Sequence, residues 1–250
     1  METYYKVLGK GDTLVLLHGF LEDHSIWEKV ADHLSETYQL LLIDLPAHGK
    51  TPITNEICSM QCMAKAVSDV LEKEKIDKAT LVGHSLGGYV ALSCLQYFPK
   101  KFNGICLVNS TTDADSPERL QNRDRAIQAV KQNKNLFIRS AIPGLFNQDC
   151  LEKHRNTLDA LVSRACLMSS ESIISVIKGM KIRPNSEQIL ADYKGRKLWV
   201  IGEKDNLLPL KNVKKIAKKT NTPFLVLPDG HMSPVENSKE LAYAICAFFP

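Results

Sequence analysis

Short apolar runs recur along the chain, at intervals wide enough to hold a helix between them. Six runs are prominent: TLVLLHG, QLLLIDLP, ATLVGHS, GICLVNS, KLWVIGEKD and TPFLVLPDG. Each is apolar on both of its alternating faces, which is typical of strands in a sheet that is covered on both sides. Helix-length segments separate most of the runs, among them residues 25–34, 59–74, 86–98 and 210–219. This alternation predicts an α/β fold with a mostly parallel central sheet and helices on both faces.

Two stretches depart from this alternation. Near the N-terminus, VLGKGDTLVLL predicts a hairpin through the glycine-containing turn at residues 9–12. Between Asp113 and Asp192 the sequence is richly charged and helix-like, with a break at IPGLFNQD and no strong strand signal. We therefore expect a helical insertion at residues 113–192 within a core made of residues 1–112 and 193–250.

The composition indicates one sizeable core and gives no sign of a nucleic-acid partner. The chain has 250 residues, of which 44% are hydrophobic, and its formal charge is only +4. In the densest basic stretch, residues 211–219, Val213, Ile216 and Ala217 fall on one helical face and the lysines on the other. This pattern is typical of a solvated surface helix rather than of a nucleic-acid or membrane patch.

The cysteines and the first residues predict a cytoplasmic location. The seven cysteines are an odd number, and Cys94 and Cys106 lie in apolar runs, as small core residues do. The start METYYKVLGK lacks the apolar core of a signal peptide, and both observations favour a reducing compartment. Cys58 and Cys62 could share a helix face, but no matching Cys or His pair follows. We expect neither a metal nor another cofactor.

Residues 79–99 are long enough for a membrane span and carry no acidic or basic side chain. Three glycines and His84 interrupt this stretch near its start. A buried strand, a turn and a buried helix explain it better, so we expect no membrane span.

Polar residues stand where the predicted strands end. In an open parallel sheet, ligands bind at the carboxyl ends of the strands. The residues that follow the apolar runs include His18, Asp44, Ser85, Asp205 and His231. A serine, an acid and a histidine therefore project to the same edge of the predicted sheet. Ser85 also lies in GHSLG, a Gly-x-Ser-x-Gly pattern that often encodes a sharp strand-to-helix turn displaying a nucleophilic serine.

Five segments together give the chain a specific resemblance to a known family. They are LLHGF, DLPAHGKT, GHSLGGYVAL, GEKDNLLP and GHMSPVEN. Over essentially its whole length the chain resembles the α/β-hydrolase superfamily, in the small form in which an inserted helical segment makes a lid. The order Ser85, Asp205, His231 is the chain order of that superfamily's triad. The chain departs from the usual pattern at Ala47 and Thr51, where glycine and serine are common.

The resemblance implies a role for each of these residues. Ser85 is the nucleophile, and because a serine hydroxyl is weak at neutral pH it needs a base within hydrogen-bond reach. His231 is that base, and Asp205 orients the imidazole and stabilises its charged form. The superfamily's oxyanion donors are the amide after the nucleophile, here Leu86, and an amide of the loop after the early strand, here Phe20.

The acid has competitors in the sequence. Some members of the superfamily take it from the strand before the lid, where Asp113 and Asp115 stand in this chain. Asp205 is favoured because it follows its own strand by a short loop. Asp229 precedes His231 by two residues and is expected to serve the turn.

Three other histidines are expected to support the site. His84 lies inside the predicted turn at GHSLG, here called the elbow, but it cannot easily reach the Ser85 hydroxyl, so we interpret it as a packing residue. His18 is expected to brace the loop that carries Phe20, and His48 to be structural within its own loop.

A serine at the elbow favours acyl transfer. The leading hypothesis is a serine hydrolase that cleaves a small carboxylic ester, with a thioester or a lactone as variants. Two alternatives stay open: a lyase that uses the triad for elimination on an acidic substrate, as in menaquinone biosynthesis, and a slow-turnover small-molecule receptor. The mixed charge of the insertion does not decide between the hydrolase and these alternatives. The expected partner is a small-molecule substrate, and the oligomeric state is left open.

Overall fold

Seven strands form one sheet in the order β1-β3-β2-β4-β5-β6-β7, in which every neighbouring pair is parallel except β1 and β3. The computed structural model describes residues 2–53 and 55–249. The strands are β1 (Tyr5–Leu8), β2 (Thr13–Leu17), β3 (Gln39–Ile43), β4 (Ala79–His84), β5 (Phe102–Val108), β6 (Arg196–Gly202) and β7 (Phe224–Leu227). The predicted α/β fold with a mostly parallel sheet is confirmed.

Among the described residues, ten α-helices and four short 3₁₀ helices connect and flank these strands. The α-helices are α1 (Glu28–Leu34), α2 (Met60–Lys73), α3 (Leu86–Tyr97), α4 (Pro117–Ala141), α5 (Arg155–Ala165), α6 (Ser170–Lys181), α7 (Glu187–Asp192), α8 (Leu210–Lys219), α9 (Ser233–Glu236) and α10 (Ser238–Phe248). The 3₁₀ helices are His24–Trp27, Pro99–Lys101, Pro143–Leu145 and Gln148–His154.

The sheet is covered on both faces, as its continuous apolar strands require. Every residue of β2 and of β4 is buried, although successive side chains of a strand point to opposite faces. Helix α3 packs against β2, β4 and β5 and buries all residues from Leu86 to Leu95. Cys94 and Cys106 lie in this core.

The predicted hairpin between the first two strands is wrong. β1 pairs with β3 in antiparallel register, with Tyr5 opposite Ile43, rather than with β2. Both edges of β2 are already taken, because β3 and β4 lie on either side of it in parallel register. The turn still follows the glycine signal, since Gly9 and Gly11 have φ values of +69° and +116°.

Within residues 79–99, β4, the turn at Ser85 and the mostly buried helix α3 follow one another up to Tyr97, as the interrupted apolar pattern predicted. Of the described helices, none alone has the length and apolar character to cross a membrane. One pair bent by 99°, Gln148–Ala165 with Ser170–Lys181, passes that test on length and composition only. In α8 the apolar residues Val213, Ile216 and Ala217 are buried and the lysines are exposed.

Residues 113–192 contain helices α4 to α7 and no strand, and they connect the neighbouring parallel strands β5 and β6. Helix α4 packs against α6. It is interrupted at Asn133, whose backbone is non-helical (φ −156°, ψ 91°). The Asn133 side chain accepts a hydrogen bond from the amide of Leu136, which restarts the helix.

Candidate active site

Ser85 stands at a sharp turn between β4 and α3, at the carboxyl edge of the sheet. Its backbone is held at φ 50° and ψ −114°, a conformation that costs a non-glycine residue about 1–3 kcal/mol. The amide of Ser85 donates to the carbonyl of Val108 in the neighbouring strand at 2.9 Å. This strained turn lifts the side chain out of the sheet and leaves its hydroxyl facing the space above.

The glycines of the elbow are required by close approaches of the backbone. A Cβ on Gly83 would lie 2.4 Å from the carbonyl oxygen of Gly87, and one on Gly87 would lie 2.2 Å from that of Leu17. Both distances are below any that real Cβ atoms adopt, so a side chain at either position would push α3 away from the sheet.

Three predicted side chains meet in one chain of hydrogen bonds. Ser85 Oγ lies 2.9 Å from His231 Nε2, and His231 Nδ1 lies 2.8 Å from Asp205 Oδ2. Because an ionised carboxylate only accepts, Nδ1 carries the hydrogen and Nε2 is free to accept from the Ser85 hydroxyl. The geometry therefore allows a proton to pass from Ser85 to His231 while the opposite side of the ring stays fixed.

Asp205 is buried and accepts four hydrogen bonds. Its Oδ2 receives His231 Nδ1 and Asn109 Nδ2, the latter at 3.1 Å, and its Oδ1 receives the amides of Leu207 and Leu208 at 2.9 and 3.1 Å. Burial acts to raise the pKa of Asp205, but His231 and these donors outweigh it and hold the pKa below its usual value. The carboxylate thus stays charged beside the imidazole.

The competing acids lie elsewhere. Asp115 bonds to two arginines, with Arg123 Nε at 3.1 Å and Arg183 Nη2 at 2.8 Å. The Asp113 carboxylate accepts only a long contact of 3.4 Å from Asn185 among the described residues, and the Asp113 backbone carbonyl accepts from Arg183 Nη2 at 3.0 Å.

Asp229 is buried in the turn before His231. Burial, opposed by Ser233 and reinforced by Glu236 and Glu240, raises the pKa of Asp229 to about 7. This acid is therefore disposed to hold a proton near neutral pH.

A buried ion pair beside the elbow was not predicted. His84 Nδ1 lies 3.0 Å from Glu22 Oε2, and His84 Nε2 lies 2.8 Å from the carbonyl oxygen of His231. The same Glu22 oxygen accepts the amide of Gly19 at 2.6 Å. His84 is therefore more than the packing residue we expected, because with Glu22 it joins the loop after β2, the elbow and the loop of His231.

The pKa directions agree with an imidazolium–carboxylate pair. Burial acts to lower the pKa of His84, but the Glu22 charge outweighs it and raises the pKa. Burial acts to raise the pKa of Glu22, but His84 outweighs it and lowers the pKa. Nothing in the local sequence marked Glu22, one of 28 acidic residues, as the partner.

His18 braces the loop after β2. Its Nε2 accepts from the amide of Leu45 at 3.0 Å, so Nδ1 carries the hydrogen and donates to the carbonyl of Gly19 at 2.8 Å. His48 is buried with its ring edge-on to Phe20, at a centroid distance of 6.3 Å. Burial lowers the pKa of His48 to about 3, so the ring is neutral.

The two amides proposed as oxyanion donors belong to Phe20 and Leu86. Among residues 2–53 and 55–249, neither amide has a hydrogen-bond acceptor. Phe20 follows β2 in the loop that His18 braces, and Leu86 is the first residue of α3. A helix N-terminus favours negative charge in its vicinity.

A cavity of about 260 Å³ lies above Ser85 and His231. Most of its wall is apolar and is formed by Phe20, Leu21, Tyr89, Ala126, Phe137, Ala141, Leu145, Ile177, Met180, Leu207 and Leu208. Arg119, Asn122 and Arg123 of α4 add polar groups. Residues 113–192 provide nine of these lining residues, from Arg119 to Met180. In the part of the chain that is described, no group of three or more His, Cys, Asp or Glu side chains is arranged to hold a metal ion.

A family model for the alpha/beta hydrolase fold matches residues 12–238. The chain belongs to this family, which is the class that the sheet order and the serine elbow define.

Two curated relatives illustrate the similarity. A pimeloyl-[acyl-carrier protein] methyl ester esterase of Wigglesworthia glossinidia brevipalpis is 25% identical over 263 residues, covering 98% of this chain and 96% of the relative. The uncharacterized hydrolase YugF of Bacillus subtilis is 36% identical over 100 residues, which are 40% of this chain and 37% of the relative. The chain thus spans about a third of the length of several relatives that it matches.

Solved structures share the fold over nearly the whole chain. A thermophilic esterase from Thermogutta terrifontis superposes with a TM-score of 0.92 at 24% identity, covering 98% of this chain and 92% of that chain. The enol-lactonase from Burkholderia xenovorans LB400 gives 0.91 at 18% identity, covering 98% and 95%. The esterase and enol-lactonase activities are those of the two solved proteins. Their similarity to this chain shows a shared fold.

Proposed function

We propose that this protein is a serine hydrolase that cleaves a small carboxylic ester through an acyl-enzyme on Ser85. The observation that carries the proposal is the hydrogen-bonded sequence Ser85 Oγ, His231 Nε2, His231 Nδ1 and Asp205 Oδ2, with links of 2.9 and 2.8 Å. A nucleophile, a base and an orienting acid in this order are the parts that serine acyl transfer needs.

In the first half of the proposed reaction, Ser85 Oγ attacks the ester carbonyl carbon while His231 Nε2 takes the hydroxyl proton. The carbonyl oxygen becomes an oxyanion, which the amides of Phe20 and Leu86 stabilise. Removing one such donor typically costs about 3–4 kcal/mol of transition-state stabilisation. When the tetrahedral intermediate collapses, His231 gives its proton to the departing alkoxide, so an alcohol leaves and the acyl group stays on Ser85.

In the second half, His231 takes a proton from water, whose oxygen attacks the acyl carbon. Collapse of this intermediate returns the proton to Ser85 Oγ and releases the carboxylic acid. One ester and one water give one acid and one alcohol. Asp205 keeps its charge throughout and stabilises the imidazolium that forms twice in the cycle.

We assign residues 113–192 as a lid over a core of residues 1–112 and 193–250. The support is that this segment provides Ala126, Phe137, Leu145, Ile177 and Met180 to the wall above Ser85. A cover of this kind excludes water and selects the acyl or alcohol group by shape. The mostly apolar wall favours a small-molecule substrate with an apolar portion.

Activity-based labelling followed by an ester panel tests the proposal. A fluorophosphonate should attach to Ser85, and the protein should turn over a short-chain p-nitrophenyl ester many times without an added cofactor. Ser85→Ala should abolish both. Labelling of the Ser85→Ala variant would reject the nucleophile, a single stoichiometric burst would favour a receptor, and dicarboxylate binding without ester cleavage would favour a lyase.

A further inference from the structure

Residues 144–149 of the insertion, here called the strap, lie across the loops that carry the proposed acid and base. On the acid side, Asn206 Nδ2 donates to the carbonyl of Gly144 at 2.7 Å. Lys204 Nζ pairs with Asp149 Oδ2 at 2.5 Å. The strap is thus tied to the two neighbours of the acid, at positions 204 and 206.

On the base side the strap contacts the backbone directly. The amide of His231 donates to the carbonyl of Leu145 at 2.8 Å. A Cβ on Gly230 would lie 2.4 Å from the amide nitrogen of Asn147, so the two backbones approach as closely as glycine allows. Leu145 also lines the cavity above Ser85. One short segment therefore shapes the cavity and holds the backbone of the histidine.

Glu236 joins the strap to the loop that carries Gly230 and His231, here called the base loop, through a single carboxylate. Its Oε1 accepts the amide of Asn147 at 2.5 Å, and its Oε2 accepts the amide of Gly230 at 2.6 Å. The residue is only 7% exposed, so water does not substitute freely for these donors. Burial raises the pKa of Glu236, while the amides of Asn147 and Gly230 act to lower it. Both oxygens accept a backbone amide, as those of an ionised carboxylate do, and hydrogen bonds to an ionised acceptor are about twice as strong as neutral ones. The mechanism proposed above makes no use of Glu236.

We propose that Glu236 is a positioning residue for the hydrolysis: it fastens the base loop to the strap and so holds His231 Nε2 in line with Ser85 Oγ. This role rests on the proposed function. A displacement of about 1 Å at reacting groups costs on the order of 100-fold in rate, and Gly230 directly precedes the histidine. Because the strap belongs to the insertion, Glu236 also links the insertion to the loop of His231.

The substitution Glu236→Gln tests this role because an amide has one oxygen and one NH₂ group in place of two acceptors. One of the two backbone amides then faces a donor and loses its bond. We expect kcat on a p-nitrophenyl ester to fall by about 10–100-fold, with KM nearly unchanged, since a misplaced base weakens the transition state more than substrate binding. The rate constant for fluorophosphonate labelling of Ser85 should fall in the same proportion.

Two further variants make the result decisive. Glu240→Gln is the matched control, since Glu240 is an exposed acid four residues on, and it should leave kcat and labelling unchanged. Glu236→Asp keeps the charge but reaches only one amide, so it should also lose rate, and it replaces the glutamine variant if that one does not fold. All rates are measured well below the melting temperature of each variant.

The outcomes separate the two proposals. Wild-type kcat and labelling rates in folded Glu236 variants, with only the melting temperature lowered, would show a purely structural residue and overturn the positioning role. A rise in KM at constant kcat would also overturn it, because the strap would then serve the cavity alone. A wild-type protein that neither labels nor cleaves any ester would overturn the proposed function itself.

Discussion

The substitution Glu22→Gln is expected to destabilise the fold by about 3 kcal/mol, because it breaks a buried ion pair. Glu22 is 6% exposed and His84 is fully buried. One oxygen, Oε2, accepts both Gly19 N at 2.6 Å and His84 Nδ1 at 3.0 Å. An uncharged oxygen in that place leaves a buried imidazolium without its counter-charge, and breaking such a pair typically costs about 3–5 kcal/mol.

The loss should depend on pH in a defined way. The pKa of His84 is raised, so its contribution is complete below about pH 6.5 and is lost as pH rises through the folded-state pKa. The pKa of Glu22 is lowered, so its contribution is complete above about pH 4.5 and is lost as pH falls through the folded-state pKa. The difference between wild type and Glu22→Gln should therefore be largest between about pH 4.5 and 6.5.

Urea unfolding at a series of pH values measures this difference. Glu28→Gln is the matched control, since Glu28 is an exposed acid of the same region paired with Lys6 at 3.3 Å, and exposed pairs contribute about 0–1 kcal/mol. Equal losses in the two variants, or a Glu22→Gln loss that does not change with pH, would refute the ion pair.

Three further results are expected. Asp205→Asn should keep the fold but lower turnover by about 10⁴-fold, whereas Asp113→Asn should be mild, and the reverse ranking in steady-state kinetics would transfer the role of acid. Gly87→Ala should lower the unfolding free energy by about 3 kcal/mol or more, because its Cβ would lie 2.2 Å from a carbonyl oxygen of β2; an unchanged urea midpoint would contradict this. Asp229→Asn should gain melting temperature relative to wild type as pH rises from about 4 to 7. The pKa of Asp229 is raised to about 7 in the folded state, so in this range the unfolded state ionises while the folded state keeps the proton, and the wild type loses stability. A difference that is constant with pH would argue against the raised pKa.

The sheet and the elbow could be predicted from sequence because their signals are local. A strand covered on both faces needs apolar residues at every position, and β2 and β4 show that pattern in short windows. The elbow needs small residues at fixed distances from the serine, and Gly83 and Gly87 supply them. The glycines themselves lie within two residues of Ser85, so a short pattern contains them, although the atom that Gly87 must avoid, the Leu17 carbonyl oxygen, lies on β2.

The pairing of β1 and the partners of buried charges could not be predicted in this way. The partner of β1 depends on which strand has a free edge after the sheet has formed, and β2 has none. Glu22 and His84 are 62 residues apart, and Asn147 and Glu236 are 89 residues apart. No spacing rule connects residues at such separations, so their contacts follow only from the assembled fold.

The buried carboxylates of the site have a common role, because each accepts backbone amides of a nearby loop. This role explains why the motif residues alone do not build the site. Loops at a sheet edge leave amides without partners inside the fold, and each unsatisfied buried donor costs about 1–3 kcal/mol. Glu22 accepts the amide of Gly19, Asp205 those of Leu207 and Leu208, and Glu236 those of Gly230 and Asn147. Each carboxylate therefore binds the backbone of a loop beside Ser85, Asp205 or His231. The loops around the hydrogen-bonded side chains Ser85, His231 and Asp205 are thus bound to buried carboxylates that a local motif does not contain.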